Sequence, residues 1–382
     1  MVVTRGDGHV RGRSSPPGRD RATLWERVDV VLVGATLALM AFGAVMVAVT
    51  SGLTRPGLSP VLVHQLLFDG LGLLIGTGAA IVDYRRIEHL GPLAYAATLG
   101  LLLLVLSPLG TSVNGAQSWF SVGSFQFQPA EFMKLCVIVL LAAVTARGGG
   151  RLDVRRLLRS LALVGLPAAL ILLQPDLGSV MVLTAMTAAI LVVAGTTPRH
   201  LAVLALGGVV VVVMVFQLGL LKSYQQDRLT YFLNPATKTS AGYNAQQSEI
   251  AIGSGGILGR GLFHGTQTQL KFVPEQQTDF IFSALGEDLG FLGTAAVLLL
   301  DAIIAWRIWR AAILARDLFG TLICAGVGGM FLFHVFENVG MNMGIMPITG
   351  IPLPLVSYGG SATIVTLAAI GTVVSVHSHR FS

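Results

Sequence analysis

KFVPEQQTDFIFSALGEDLGFLGTAAVLLLDAIIAWR, residues 271–307, changes character once along its length. Its first part is polar and charged, and from Phe280 to Arg307 it is apolar, with Glu287, Asp288 and Asp301 as acidic interruptions. A helix needs about 20 predominantly apolar residues to cross a bilayer core, and this run has them. Asp279 falls close to the start of the expected helix, with Lys222, Arg228, Lys238, Arg260 and Lys271 in the polar, Gly-rich segment before it. A carboxylate at a membrane edge facing basic groups is a place for chemistry on an anionic substrate. The same residue type also caps helix N-termini, so both readings stay open.

The pattern recurs outward in both directions. Of the 382 residues, 53% are hydrophobic and only 12% charged, and the mean hydropathy is +0.75, a balance no soluble domain of this length has. Continuous rather than alternating apolar runs argue for helices over a barrel, the two structures that satisfy backbone groups in lipid. Ten spans are expected: Val28–Ser51, Val61–Val82, Leu90–Leu106, Ala130–Ala146, Leu157–Leu173, Gly178–Gly195, Leu201–Leu221, Phe280–Arg307, Leu318–Met341 and Ser357–Val376. The fold class is therefore an all-α polytopic membrane protein with about ten transmembrane helices in a single domain over residues 25–382. Residues 1–24, rich in Arg, Gly, Ser and Pro, read as a disordered tail. Cys136 and Cys324 both fall inside spans and read as small packing residues.

Charge sets the orientation. Arginines cluster in the tail, at Arg85 and Arg86, between Arg147 and Arg159, at Arg199, between Arg307 and Arg316, and at Arg380. The opposite connections are nearly bare: residues 52–60 hold only Arg55, and 107–129 and 342–356 hold no Lys or Arg. Basic residues mark the cytoplasmic side, which places both termini there. The 222–275 segment, between spans 7 and 8, becomes one large extracytoplasmic loop; long loops cross membranes largely regardless of charge.

Ionisable groups inside spans default to pairing or function. Glu131 and Lys134, three apart on one helix, can form a buried salt bridge or present Lys134 to an anion. Counting about 100° per residue, Glu287 lies about 80° around the helix from Asp279 and is expected to share its cavity, while Asp288 faces away. Asp69, Asp301, His334 and Glu337 read as packing or network residues. The run GSGGILGRG (253–261) fails the phosphate-loop spacing and reads as a tight or re-entrant turn, although its backbone N–H groups and Arg260 suit a diphosphate. Trp119, Trp306 and Trp309 read as interface anchors. His64 and His264 have no partner at zinc-ligand spacing, and no serine-histidine-aspartate arrangement or nucleic-acid signal emerges.

Five pieces, in order on these spans, carry a family resemblance: NGAQSWFSVGSFQFQPAEFMK (114–134), QPDLGS (174–179), YQQDRLTYFLNP (224–235), the run from Gly242 to Gly293, and NVGMNMGIMPITGIPLPLVSYGGSA (338–362). From about Val28 to Arg380 the chain resembles the SEDS family, the RodA, FtsW and SpoVE group, and GTQTQLKFVPEQQTDFIF (265–282) is RodA-like, of the elongation branch. The resemblance implies a ten-helix peptidoglycan glycosyltransferase of the bacterial inner membrane. Such an enzyme polymerises lipid II and releases undecaprenyl diphosphate on the extracytoplasmic side. It also implies a class B penicillin-binding protein as transpeptidase partner within an elongation complex. Asp279 maps onto the family's essential aspartate, Trp119 onto a sensitive loop tryptophan, and Glu131 and Lys134 onto the QPxExxK stretch. Ser118 departs where relatives often carry Arg, and Asp288 where the usual pair is Glu-Glu. In this reading Asp279 is the catalytic base. Lys134, Glu131, Trp119, Arg228, Arg260, Lys271 and Glu287 bind substrate, with a divalent cation, magnesium or manganese, as a candidate to share in neutralising the diphosphate. A lipid II flippase and a non-enzymatic scaffold are the competing functions.

Overall fold

Ten helices stand where ten apolar runs are expected. The computed structural model describes residues 28–51, 59–113, 116–123, 125–147, 153–217, 223–234 and 240–381. The expected tail, residues 1–24, and Lys222 and Lys238 lie outside them. The ten are α1 (Val30–Thr50), α2 (Pro60–Ile81), α3 (Tyr84–Val105), α4 (Pro129–Ala146), α5 (Val154–Leu173), α6 (Leu177–Val193), α7 (Pro198–Gln217), α11 (Ile281–Leu314), α12 (Leu318–Asn342) and α13 (Gly360–Ser378). Eight helices of the described residues are long and apolar enough to cross a membrane, and α6 is equally apolar at 17 residues. Starts are set by local chemistry: Asp29, Ser59, Asp83, Asp153, Asp176 and Asp317 each accept a backbone N–H with the side chain, and prolines open α2 and α4.

Helix α12 packs against α4, α6 and α11, and α13 lies along α2. That last seam is glycine-lined. A Cβ on Gly76 would sit 2.7 Å from the Leu367 carbonyl oxygen, and one on Gly371 would collide with the backbone of Gly76. Small residues let helices approach this closely where lipid offers no hydrophobic drive.

Two departures from the all-α expectation matter for the site. Residues 111–127 form a three-stranded antiparallel sheet, β1 (Thr111–Val113), β2 (Ala116–Val122) and β3 (Phe125–Phe127), with Ser112 opposite Gln117 and Phe120 opposite Phe127. Alternating Phe120, Val122, Phe125 and Phe127 carry the period of two that marks strands. The described residues of the 222–275 segment are largely helical, with α8 (Ser223–Leu233), α9 (Ser240–Gly255) and the single turn α10 (Thr266–Gln269).

Both termini of the bundle lie at one end. Asp29, at the start of α1, holds Arg307 through two bonds, Oδ2 to Nε at 2.7 Å and to Nη2 at 2.6 Å. Arg307 is in the last turns of α11, and Asp317 opens α12 nearby. Asp317 accepts the Tyr84 hydroxyl at 2.6 Å, and the Tyr84 N–H donates to Ser375 Oγ, near the end of α13, at 3.1 Å. The opposite end gathers the end of α12, the starts of α4, α6 and α13, and the segment before α11.

Helix α11 is broken at Gly290, whose backbone (φ 65°, ψ −162°) is open only to glycine. The Gly-rich run fills the break. Arg260 N–H donates to Glu287 O and Gly261 N–H to Asp288 O, while Phe291 and Leu292 N–H donate to Gly256 O and Ile257 O, all at 2.9–3.1 Å. The run is thus a backbone splint for a broken helix, in line with the turn reading and not with a phosphate cradle.

Candidate active site

The segment 275–280 enters α11 through a turn, and its carbonyls are gripped from two sides. Asn338 and Asn342, one helical turn apart at the end of α12 and fully buried, donate their amides to the Asp279 carbonyl oxygen at 2.8 and 3.1 Å. The Asn338 amide also donates to Ile351 O at 2.8 Å, tying in the loop between α12 and α13. From that loop Ser357 Oγ donates to Thr278 O at 2.6 Å and Tyr358 N–H to Gln277 O at 2.8 Å. The cap position of α11 falls on Phe280 with no side-chain cap, so the Asp279 carboxylate is not spent on the helix terminus.

That carboxylate faces a cavity of about 520 Å³. Gly350 (φ 78°) brings bare backbone beside it: a Cβ there would lie 3.2 Å from Asp279 Oδ2 and 3.7 Å from Arg228 Nη1. Arg228, from α8, therefore stands on the same flank of Gly350 as the carboxylate. Asp279 is half-buried: the cavity opens on one side of it and protein surrounds the others. Burial pushes its carboxyl up to about 6; Arg228 pulls it back, and Glu275 and Asp176 add to the rise.

The other walls come from the sheet, α4 and α6. Trp119 and the buried Ser118 line it from β2, and Glu131 and Lys134 from α4. The Lys134 ammonium lies 2.6 Å from Glu131 Oε1, so the buried pair forms and also lines the cavity. Asp176 caps α6, accepting Ser179 N–H at 2.9 Å, Ser179 Oγ at 2.7 Å and Gln128 Nε2 at 3.0 Å. Burial raises its pKa despite those bonds.

Five of the eight expected site residues, Asp279, Arg228, Trp119, Glu131 and Lys134, therefore share one cavity. Three do not line it. Glu287 accepts Gln267 N–H and Thr268 N–H at 2.8 Å and Thr268 Oγ1 at 2.7 Å, holding the loop over α10. The expected 80° relation to Asp279 assumed one continuous helix, but α11 starts two residues after Asp279. Arg260 is bonded to Ser254 O and Thr266 Oγ1, and Lys271 is exposed. Sequence reading passed over Asn338, Asn342, Ser357 and Asp176 as site residues. Two amides spaced i, i+4 at a helix end were the available signal. Among the described residues no three His, Cys, Asp or Glu side chains are grouped to hold a metal.

The FTSW_RODA_SPOVE family, described as cell cycle protein, matches residues 30–381. Peptidoglycan glycosyltransferase MrdB of Escherichia coli K12 is 35% identical over 365 residues, covering 94% of this chain and 97% of its own. A chain from a structure of a peptidoglycan synthase complex, solved to show how polymerization and crosslinking are coordinated, superimposes with a TM-score of 0.78 at 34% identity, over 93% of this chain and 99% of its own. The crystal structure of the Thermus thermophilus rod shape determining protein RodA superimposes with a TM-score of 0.69 at 31% identity, over 94% and 99%.

Proposed function

Because the chain belongs to the FtsW, RodA and SpoVE family of cell cycle proteins, we propose that the cavity around Asp279 is where it works as a RodA-like peptidoglycan glycosyltransferase of cell-wall elongation. The substrate in this reading is lipid II. The observation that carries it is a carboxylate held by its own peptide carbonyl, with Arg228 beside it, at the wall of a cavity of about 520 Å³.

The chemistry follows from those groups. An acceptor sugar hydroxyl gives its proton to Asp279 as its oxygen bonds to the anomeric carbon of the donor. The bond from that carbon to the diphosphate breaks, and undecaprenyl diphosphate leaves with the electron pair. One base acting on one hydroxyl, with displacement from the opposite face, inverts the anomeric centre. A carboxyl pushed to about 6 is ionised at neutral pH yet basic enough to accept the proton. Arg228 and Lys134 stabilise charge on the diphosphate. The wall carries four carboxylates, Glu131, Asp176, Glu275 and Asp279, against those two cations. A diphosphate therefore enters best with its own counter-charge. A divalent cation, magnesium or manganese, would arrive on the substrate, since the described residues offer it no three-ligand cluster.

The cavity end of the bundle is the extracytoplasmic one in this proposal, and the end with Asp29, Arg85, Arg307 and Arg380 the cytoplasmic one. A class B penicillin-binding protein in the elongation complex supplies transpeptidation. The test is purified protein with that partner and lipid II, products resolved on a gel, for wild type and Asp279→Asn. Polymer from wild type and none from the Asn variant is expected. Polymer at the wild-type rate from Asp279→Asn removes the base. Lipid scrambling without polymer favours a flippase, and full activity of Asp279→Ala in cells a scaffold.

A further inference from the structure

Lys134 is buried to 2% exposure, and its surroundings fix how its three N–H donors are used. One points at Glu131 Oε1, 2.6 Å away. A second lies 3.2 Å from Nε2 of His334, on α12. The roles in that contact follow from the other side of the ring. His334 Nδ1 stands 2.7 Å from the Met330 carbonyl oxygen, which only accepts, so Nδ1 carries the proton. Nε2 is then a lone-pair acceptor for the ammonium, and the imidazole is neutral. The described residues supply no acceptor for the third donor, and Lys134 lines the cavity whereas His334 stands behind it.

From this arrangement we infer that His334 is a positioning residue: it clamps the Lys134 ammonium against Glu131 so that the remaining N–H is aimed at an oxygen of the bound lipid-linked substrate. A neutral acceptor suits the place. Glu131 and Asp176 already put two carboxylates near this lysine, and a third would cancel its pull on any substrate oxygen. Without an acceptor, the long side chain regains rotamers that its function excludes. The inference rests on the glycosyltransferase reading above and adds a residue to it. The oxygen addressed belongs either to the diphosphate or to the saccharide of the substrate.

The test uses the full chain with its transpeptidase partner. His334→Gln keeps an acceptor within reach of Lys134; His334→Leu removes it; His334→Asn stays polar but is too short. Apparent KM for lipid II is expected to rise about tenfold in the Leu and Asn variants, with kcat changed far less, as the loss of one charge-assisted hydrogen bond in binding predicts. His334→Gln is expected close to wild type. In a Lys134→Met background His334→Leu adds nothing further, because its effect runs through the lysine. Farnesyl diphosphate as competitor separates the two oxygens. Weaker inhibition of His334→Leu assigns the contact to the diphosphate, and unchanged inhibition with a raised lipid II KM assigns it to the saccharide. Equal KM values across the variants, a Gln variant as impaired as Leu, or additive losses with Lys134→Met overturn the inference. A wild-type protein that makes no polymer at all instead overturns the function on which it rests.

Discussion

Protonation of Asp279 gives the sharpest measurement. The perturbation is pH, and the magnitude comes from a carboxyl pushed to about 6 by burial. A base works only when ionised. The ionised fraction is about 0.97 at pH 7.5 and about 0.09 at pH 5.0, so polymerisation should fall about tenfold between them and about tenfold more for the next unit. The sign is that of a raised acid: activity is present above the break and lost as pH falls through it. The assay is initial polymerisation rate at subsaturating lipid II across pH 4.5 to 8, with the partner present. Arg228 supplies the internal control. Its positive charge holds the Asp279 carboxyl down, so Arg228→Met should move the break upward as well as weaken binding. The break belongs to a carboxylate cluster with Glu275 and Asp176 as neighbours, and the Arg228 response is what ties it to Asp279. A rate that stays level from pH 7.5 to 5.0, or a break unmoved in Arg228→Met, refutes the assignment.

Further outcomes follow from the same contacts. Gly350→Ala forces a side chain into φ 78° and sets a methyl group 3.2 Å from Asp279 Oδ2, so polymerisation should drop by about tenfold or more while the protein still assembles with its partner. Asn338→Leu strips a donor from Asp279 O and Ile351 O; kcat should fall by roughly a hundredfold, the penalty of a carboxylate displaced by about 1 Å, and lipid II binding should persist in a filter assay. Glu287→Ala leaves Gln267 and Thr268 N–H groups without their acceptor. Stability should fall by about 1–3 kcal/mol for each group buried, with proteolysis near residues 256–270 as the readout. Asp29→Ala abandons a buried Arg307 guanidinium and should lower the melting temperature at a cost of about 3–5 kcal/mol, with the cavity end unaffected.

The helices were legible because hydropathy and length alone decide them, and most boundaries agree within a few residues. Helix α11 runs on to Leu314, past the expected Arg307, and Arg307 is paired with Asp29 inside it. The sheet at 111–127 was missed because its alternation is short and interrupted by glycines. Within the site, Asp279 and Arg228 were singled out for charge at a membrane edge, Lys134 for charge inside a span, and Trp119 and Glu131 through the family resemblance, and they converge. Arg260 and Lys271 were grouped with them as cations of the preceding segment, and Glu287 by its expected angle around the helix. Asp279 lies before the first turn of α11, so no helical angle relates it to Glu287, and the 254–268 loop takes up Glu287 and Arg260 in its own bonds. Asn338 carries no charge signal, and His334 was legible only as a packing or network residue, so their service to Asp279 and Lys134 required coordinates.

The splint across Gly290 restricts how the large loop can behave. Four peptide groups of α11 find partners in residues 256–261, and a peptide group stranded in hydrocarbon costs several kcal/mol. Residues 256–261 therefore cannot leave α11 on their own. Any displacement of that stretch must carry the first turns of α11, Ile281 to the break at Gly290, along with it as one piece.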